Sequence, residues 1–224
     1  GGASGLQLAY RLSNHTAFEN ASILILESNK QKGNDRTWCY WETGDGEWDD
    51  LLQKQWKKVQ FKSKNVDKII DLGSASYKML RSKAYYDRLH QSLAKNKSIQ
   101  IEFAQCTGFV DEGTHVTVST DKQTYRCSTL FNSAFDWNIL NKQSRYPVLQ
   151  QHFLGWYIKT PRPLFNTETA VFMDFIVPQL QETRFMYVLP YTQTEALIEY
   201  TLFSKEMLDK SEYEDAIRDY LQDK

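Results

Sequence analysis

The chain opens with residue types and a spacing that suit a phosphate-binding turn. It begins Gly-Gly-Ala-Ser-Gly, and an apolar run ends in Glu27, 22 residues after Gly5. In a dinucleotide-binding βαβ unit, such glycines let the backbone approach the pyrophosphate, and an acidic residue about 20 positions later binds the ribose hydroxyls. We therefore expect Glu27 at the ribose. The expected pyrophosphate contacts are Gly2, Ala3, Ser4 and Gly5. The alternative is a βαβ unit in which these residues only pack.

Two acidic residues lie in strand-like segments, where a buried carboxyl group gains the raised pKa of a general acid. Asp174 is the one acidic residue of an apolar run, and strand alternation places it on a face with Phe172 and Ile176. Its carboxyl group either has a buried hydrogen-bond partner or keeps a raised pKa, and the alternative to burial is an edge-strand position that reaches solvent. Glu199 lies on the less apolar face of its strand, so periodicity alone predicts that its side chain is exposed to water.

Arg36 lies in a cluster of aromatic residues that includes Trp38, Tyr40 and Trp41. Its guanidinium either binds a phosphate or carboxylate, or stacks on Trp38. The three cysteines and four histidines are scattered along the chain without metal-ligand spacing. We expect no metal site.

The composition is that of an ordinary soluble domain or pair of domains. Of the 224 residues 41% are hydrophobic and 25% charged, and the formal net charge of -1 argues against a nucleic-acid partner. No apolar run approaches the roughly 18 residues that span a membrane. Six lysines surround Trp56 between positions 54 and 68, which predicts either a solvated strand face or a patch for a membrane surface.

The order of the predicted elements is that of an α/β protein with an added antiparallel sheet. We expect a nucleotide-binding domain over 1–136, with a hairpin at 56–72 that joins the later sheet and a helix over 77–93. Four closely spaced strands follow in an antiparallel sheet over 137–205. A helix in 206–224 opens with a capping box at Ser211 and Glu214.

Six motifs in this order resemble the flavin-dependent lycopene cyclases of carotenoid-making bacteria. They are Gly-Gly-Ala-Ser-Gly-Leu-Gln-Leu-Ala (1–9), Asn-Asp-Arg-Thr-Trp-Cys (34–39), Gln-His-Phe-Leu-Gly-Trp (151–156), Phe-Met-Asp-Phe (172–175), Phe-Met-Tyr-Val-Leu-Pro (185–190) and Ile-Glu-Tyr-Thr (198–201). The resemblance spans nearly the whole chain. It implies a Rossmann-like FAD/NAD(P)-binding domain with an antiparallel β-sheet substrate domain.

The resemblance also implies a reaction and its residues. Family members hold reduced FAD, kept reduced by NAD(P)H, and close the linear ends of lycopene or another linear carotenoid into β-ionone rings by acid catalysis. Glu199 matches the essential glutamate of a Phe-Leu-Glu-Glu-Thr-like motif, whereas Tyr200 replaces the second glutamate, which puts a relay of two carboxylates in doubt. Asp174 matches the family's Met-Asp-Phe and is expected to share the proton transfer. Arg36 and the glycine turn are expected to bind the cofactor.

The resemblance further implies a cytoplasmic protein peripheral to the inner membrane, and it leaves the oligomeric state open. Two alternatives differ in class. A flavin monooxygenase usually carries an Asp-Gly pair after the strand that ends near Ala134, where this chain has none. A non-catalytic carotenoid or lipid carrier does not account for Gly2, Gly5 and Glu27. Family members begin earlier and end later, so we expect this piece by itself to bind flavin poorly and to be inactive.

Overall fold

A computed structural model describes residues 1–30, 32–134, 146 and 148–222. The strands in these residues are β1 (Ile23–Glu27), β2 (Thr37–Thr43), β3 (Leu52–Trp56), β4 (Lys58–Ser63), β5 (Val66–Asp71), β6 (Ala75–Arg81), β7 (Ile99–Phe103), β8 (Cys106–Asp111), β9 (Val116–Thr120), β10 (Thr124–Cys127), β11 (Gln150–Lys159), β12 (Thr169–Asp174), β13 (Thr183–Pro190) and β14 (Glu195–Ser204). The helices are α1 (Ala3–Ser13), α2 (Ser82–Leu93) and α3 (Lys210–Gln222), with short 3₁₀ turns at Thr16–Phe18 and Asp49–Leu51.

These elements form two compact units. The first holds 1–38 together with the described residues from 81 to 134, and the second holds 39–80 together with the described residues from 146 onward. The segment that leaves the expected domain over 1–136 is 39–80, which is longer than the expected hairpin at 56–72. The reason is that β4 pairs in parallel with β12, which ties the segment around it to the later sheet. The expected boundary at 136 and 137 lies outside the described residues.

The first unit contains a short parallel pair, β1 and β7, with α1 and α2 packed against each other. The residues of α1 that repeat at helical spacing, Leu6 and Ala9, are buried, as is Ile25 of β1. A separate antiparallel meander has the strand order β10-β9-β8. This arrangement places the start of α1 and the end of β1 next to each other, because Gly1 donates from its terminal ammonium to the Leu26 carbonyl at 2.7 Å.

The second unit is built on a six-stranded sheet with the order β11-β14-β13-β12-β4-β5. Neighbouring strands in the series β11, β14, β13 and β12 are antiparallel, as the spacing of the turn residues predicts. One face packs against the three-stranded sheet β2-β6-β3 through Trp56, Tyr77 and Leu197. The other face packs against α3 through Ile198 and Ile217. The large sheet is thus covered on both sides.

Two local predictions are wrong. The segment 77–81 is not helical, because it pairs with β3 as part of β6, and α2 begins only at Ser82. The cap of α3 lies two residues earlier than expected. The Asp209 N–H donates to the Glu212 carboxylate at 2.9 Å, and the helix begins at Lys210. Ser211 is already inside the helix, and its place as the first residue of the capping box belongs to Asp209.

A chain of buried hydrogen bonds fastens α3 to the large sheet. The Tyr213 hydroxyl accepts from the Leu208 N–H at 3.2 Å and donates to His152 Nδ1 at 2.6 Å. His152 Nε2 then donates to Ser204 Oγ at 2.6 Å, and the Ser204 hydroxyl donates to the Glu206 carbonyl. Because the Ser204 hydroxyl donates to the Glu206 carbonyl, Ser204 Oγ must accept from His152 Nε2. The proton of the imidazole is therefore assigned to Nε2, and Nδ1 accepts from Tyr213.

Replacing Tyr213 by Phe should lower the free energy of unfolding by about 1–3 kcal/mol, because it leaves the buried His152 Nδ1 without a donor. Tyr40→Phe is the matched control. Among the described residues the buried Tyr40 hydroxyl has no hydrogen-bond partner, so its removal should leave stability unchanged or raise it. Denaturant unfolding of both variants measures the difference, and equal effects would contradict the proposed anchor.

Candidate active site

Glu199 lies in the middle of β14, on the face that the three-stranded sheet covers. Its Cα partners are Gly155 on β11 and Tyr187 on β13. Leu197 and Thr201, which share this face, are 3% and 1% exposed, and Glu199 itself is only partly exposed. The expectation from periodicity that the Glu199 side chain is exposed is therefore wrong. The physical reason is that a second sheet covers the less apolar face of β14.

Burial changes the acidity of Glu199 and of the groups beside it. Burial raises the pKa of the Glu199 carboxyl to about 7. Burial also raises the pKa of Cys39 to about 12 and of Tyr187 to about 12, and the Glu199 charge contributes to both shifts. The pKa of Tyr77 is raised by burial and then by Cys39, Tyr187 and Glu199. At neutral pH the thiol and both hydroxyls are neutral, and Glu199 is the group in this cluster that exchanges a proton.

Aromatic rings form the surroundings of this cluster. The Phe172 ring lies 5.1 Å from Trp41, 5.5 Å from Tyr77 and 5.6 Å from Tyr187, centroid to centroid, in edge-on contacts. The Phe185 and Tyr187 rings are 5.1 Å apart. The faces of such rings carry partial negative charge and attract a cation. A proton donor with a pKa near 7 among aromatic rings suits a reaction that forms a carbocation.

Asp174 lies on the opposite face of the sheet. It is fully buried and pairs with Met186, a core residue on the α3 side. Its Oδ2 accepts from the Tyr220 hydroxyl at 2.9 Å and its Oδ1 from the Ile176 N–H at 3.1 Å. The prediction that Asp174 shares a face with Phe172 is wrong. A register shift between Val171 and Asp174 reverses the alternation there, as a β-bulge does.

The bulge separates the two acidic residues that the sequence singled out. Glu199 faces the three-stranded sheet, whereas Asp174 faces α3. Burial, and then the Asp174 charge, raise the pKa of the Tyr220 phenol, so the hydroxyl stays a hydrogen-bond donor to the carboxylate. The contacts of Asp174 fasten β12 to α3 and give it no direct path to Glu199.

In the first unit, the structure brings the glycine turn and Glu27 together. Gly2 caps α1 without a side-chain hydrogen bond, and a Cβ added at Gly2 or Gly5 would meet no atom within 4 Å. Open space therefore lies over the start of α1, where Ala3 and Ser4 form the first turn and backbone N–H groups attract an anion. At Gly1 a Cβ would come within 2.5 Å of the Glu27 Cβ, so a glycine is required there.

Glu27 is 9% exposed and is held by two partners. Its Oε1 accepts from the Asn29 N–H at 2.9 Å, and its Oε2 contacts Lys32 Nζ, which also donates to the Gly1 carbonyl at 2.6 Å. Burial by itself would raise the pKa of Glu27, but Lys32 and the Asn29 N–H hold it below the usual value. An ionised carboxylate at the end of β1 accepts hydrogen bonds from hydroxyl groups, which fits the ribose of an adenine dinucleotide.

Arg36 is exposed, and its backbone is fixed by two hydrogen bonds with Ser82, at 3.0 Å and 2.9 Å. Trp38 packs edge-on against Tyr85 at 5.5 Å and Tyr86 at 5.8 Å. In the described part of the chain no ring contact joins Arg36 to Trp38, so the stacking alternative is not present.

The described ranges contain neither a cluster of metal-ligand side chains nor a helix suited to cross a membrane. Residues 1–30, 32–134, 146 and 148–222 contain no group of three or more His, Cys, Asp or Glu side chains that could hold a metal ion. None of the helices in the same ranges is long and apolar enough to cross a membrane.

Sequence reasoning did not place Cys39, Tyr77 and Gly155 beside Glu199. Tyr77 was assigned to a helix, so its approach to Cys39 and Glu199 was not foreseen. Gly155 lies in a strand that is otherwise rich in aromatic residues, and a glycine at such a position was the available signal that a neighbouring side chain needs the space. Its significance depends on the cross-strand register, which pairs it with Glu199.

The raised pKa of Glu199 makes stability depend on pH. Between about pH 4.5 and 7 the folded protein holds a proton that the unfolded chain has released, so stability should fall as pH rises through this range. Glu199→Gln should remove this component, roughly 1–3 kcal/mol. Urea unfolding of both proteins at pH 5 and pH 8 measures it. A pH dependence that is the same in both would show that Glu199 has an ordinary pKa.

The sequence matches the family described as lycopene cyclase protein over residues 1–224. It is 23% identical over 211 residues to the lycopene beta-cyclase of Pseudescherichia vulneris, and the matched region covers 91% of this chain and 50% of that protein. The chain thus spans about half the length of this curated relative.

Solved structures share the fold at low identity. A geranylgeranyl bacteriochlorophyll reductase-like protein from Thermoplasma acidophilum aligns with a TM-score of 0.64 at 9% identity, covering 99% of this chain and 59% of that one. Halogenase PltM, in complex with phloroglucinol and FAD, aligns with a TM-score of 0.61 at 10% identity, covering 98% and 53%. The mixed α/β fold is therefore a Rossmann-like fold found in flavoenzymes. On the match over its whole length, the chain belongs to the lycopene cyclase family.

Proposed function

We propose that this protein takes part in carotenoid biosynthesis as a lycopene β-cyclase, which closes the linear ends of lycopene into β-ionone rings. The observation that carries the proposal is the Glu199 carboxyl, whose pKa burial raises to about 7 among aromatic rings. The family match and the resemblance to a lycopene beta-cyclase support the same substrate class.

Glu199 is proposed as the acid. Its protonated carboxyl transfers the proton to the terminal double bond of the polyene, and a tertiary carbocation forms. The π electrons of the next double bond attack this cation and form the ring bond. A ring C–H then loses its proton, and the electron pair of that bond becomes the ring double bond. One proton enters and one leaves, so the product is an isomer of the substrate.

The surroundings of Glu199 supply what this route needs. The rings of Phe172 and Tyr187 stabilise positive charge with their faces. The phenols and the Cys39 thiol stay neutral, because burial raises their pKa values. A dry site also keeps water from trapping the cation as an alcohol. Asp174 is proposed to stabilise the site from the opposite face of the sheet, because its hydrogen bonds fix the position of β12, which carries Phe172.

FAD is the proposed cofactor. Gly2, Ala3, Ser4 and Gly5 would receive its pyrophosphate, Glu27 its ribose, and Arg36 would add a positive charge for an anionic part of the cofactor. The reduced flavin would supply an electron-rich ring that stabilises positive charge, and NAD(P)H would keep it reduced. The affinity of the protein for ADP tests this assignment without flavin. The Gly5→Val variant should bind ADP more weakly than the unaltered protein.

A peripheral contact with the inner membrane is proposed through the β4–β5 hairpin. Val66, Ile69 and Ile70 are exposed there, beside Lys64 and Lys68. Exposed apolar side chains near lysines suit the surface of an anionic lipid layer, which attracts each lysine by about 1 kcal/mol, whereas Asp67 and Asp71 of the same strand oppose this attraction. The substrate is apolar and dissolves in membranes, so such a contact would bring the enzyme to it.

The complete protein, expressed with lycopene-making enzymes, should convert lycopene to β-carotene or a one-ring product. Glu199→Gln should lower ring closure by at least about 100-fold, because the amide cannot donate the proton. Glu195→Gln is the matched control on the same strand, since the Glu195 carboxylate forms a surface ion pair with Lys159. Asp174→Asn should keep ring closure and lower the unfolding midpoint.

Pigment analysis by chromatography gives the result. Unchanged lycopene with the unaltered complete protein would reject the cyclase. Full activity of the Glu199→Gln variant would reject Glu199 as the acid. Hydroxylated product formed with NADPH oxidation would favour a monooxygenase.

Flotation with vesicles tests the membrane contact. The protein should bind vesicles that contain phosphatidylglycerol, and replacing Lys58, Lys64 and Lys68 by Gln should reduce binding about tenfold or more. The control replaces three lysines of the first unit, Lys95, Lys97 and Lys122. An equal loss in both triple variants would point to net charge and against a specific surface.

A further inference from the structure

The outer strand β11 has a gap directly beside Glu199. Gly155 is the Cα partner of Glu199, and Phe153 and Tyr157 lie two residues to either side of it on the same face. Both aromatic side chains are largely exposed, 60% and 52%. The strand thus presents two rings with a position between them that has no side chain.

The Glu199 side chain occupies the space over Gly155. A Cβ placed at Gly155 would lie 2.8 Å from Glu199 Cγ and 3.4 Å from Glu199 Oε1. It would also lie 3.3 Å from Leu197 Cδ1. Cβ atoms of directly opposed residues are normally about 4.5–5.5 Å apart, which leaves room for both side chains. The short distance to Cγ arises because the Glu199 side chain leans from β14 toward β11 and lies over the backbone at Gly155.

The backbone at Gly155 does not itself require glycine. Gly44, Gly73 and Gly113 have positive φ angles, a region that side chains rarely adopt, whereas Gly155 does not. Glycine in the middle of a strand normally weakens it. A glycine is therefore explained at this position by space for the neighbouring side chain.

We propose that Gly155 is a positioning residue for Glu199: the missing side chain lets the acid lie across β11, in the slot between Phe153 and Tyr157. The placement of the Glu199 carboxyl follows from geometry. Its consequence for catalysis, that the slot fixes which carbon of the polyene end receives the proton, rests on the proposed cyclase function. An alanine at 155 displaces the carboxyl while the strand stays paired, because Glu199 can rotate away from the added methyl group.

Titration of the Glu199 carboxyl in the Gly155→Ala protein tests the proposal. The protonated carboxyl band is followed by infrared spectroscopy, and its assignment comes from the Glu199→Gln protein. The displaced group leaves its buried position, so its midpoint should fall toward the ordinary value by about one pH unit or more. Gly108→Ala is the matched control, because Gly108 lies in a strand and a Cβ there would meet nothing within 4 Å.

A Glu199 midpoint that does not fall in Gly155→Ala overturns the proposal. If Gly155→Ala lowers the unfolding midpoint too far for titration, the same substitution is made in a Glu199→Ala background. The positioning role requires that the destabilisation become smaller there, because the Glu199 atoms that the methyl would strike are gone while the contact with Leu197 remains. Equal destabilisation in both backgrounds would show that Gly155 is needed for the strand itself.

The spectroscopic readout does not depend on turnover. A fall in the Glu199 midpoint in a protein that forms no ring would leave the positioning role standing and reject the cyclase. Ring closure by the unaltered protein, with an unchanged midpoint in Gly155→Ala, would leave the cyclase standing and reject the positioning role.

Discussion

The covering of β14 on both faces is the constraint on which the second unit depends. Ile198 faces α3, while Leu197 and Glu199 face the three-stranded sheet. A strand covered on one side would leave Glu199 in water with an ordinary pKa. With a second sheet above it, the same carboxyl loses hydration, and its pKa rises to about 7. Layering of the sheets therefore sets the acidity that the proposed reaction needs.

The buried polar groups of this unit divide between the two faces. On the α3 side, Asp174 and His152 have partners for their polar atoms, Tyr220 and Tyr213 among them, and these bonds fix the helix. On the other side, the Thr201 hydroxyl and the Trp56 Nε1 are buried without a hydrogen-bond partner in the described residues. Fully paired polar groups stabilise a fold, whereas unpaired ones are tolerated where a site needs them. This difference agrees with a division of roles in which one face of the large sheet holds α3 and the other carries the proposed reaction.

Much of the fold follows from periodicity and turn residues. The four antiparallel strands of 150–204 and the strand that ends at Glu27 agree with the sequence pattern, because alternation and apolar runs are strong there. The segment 77–81 was wrongly predicted as helix, since Tyr77 and Leu80 fit a helix as well as a strand and only pairing with β3 decides between them. The hairpin at 56–72 was expected to join the later sheet, but no local pattern identifies its partner strand, because β4 pairs in parallel with β12 more than 100 residues away.

The sequence by itself determined the candidate residues: a glycine turn with Glu27, and two carboxyls in apolar strands. It also determined the family, through the order of six motifs. The tertiary structure alone decided which carboxyl has the environment of an acid. The bulge in β12 turns Asp174 toward α3, and the second sheet buries Glu199 against Tyr77 and Tyr187. The physical reason is that a pKa depends on the atoms around a group in space, which register, bulges and sheet stacking assemble from distant segments.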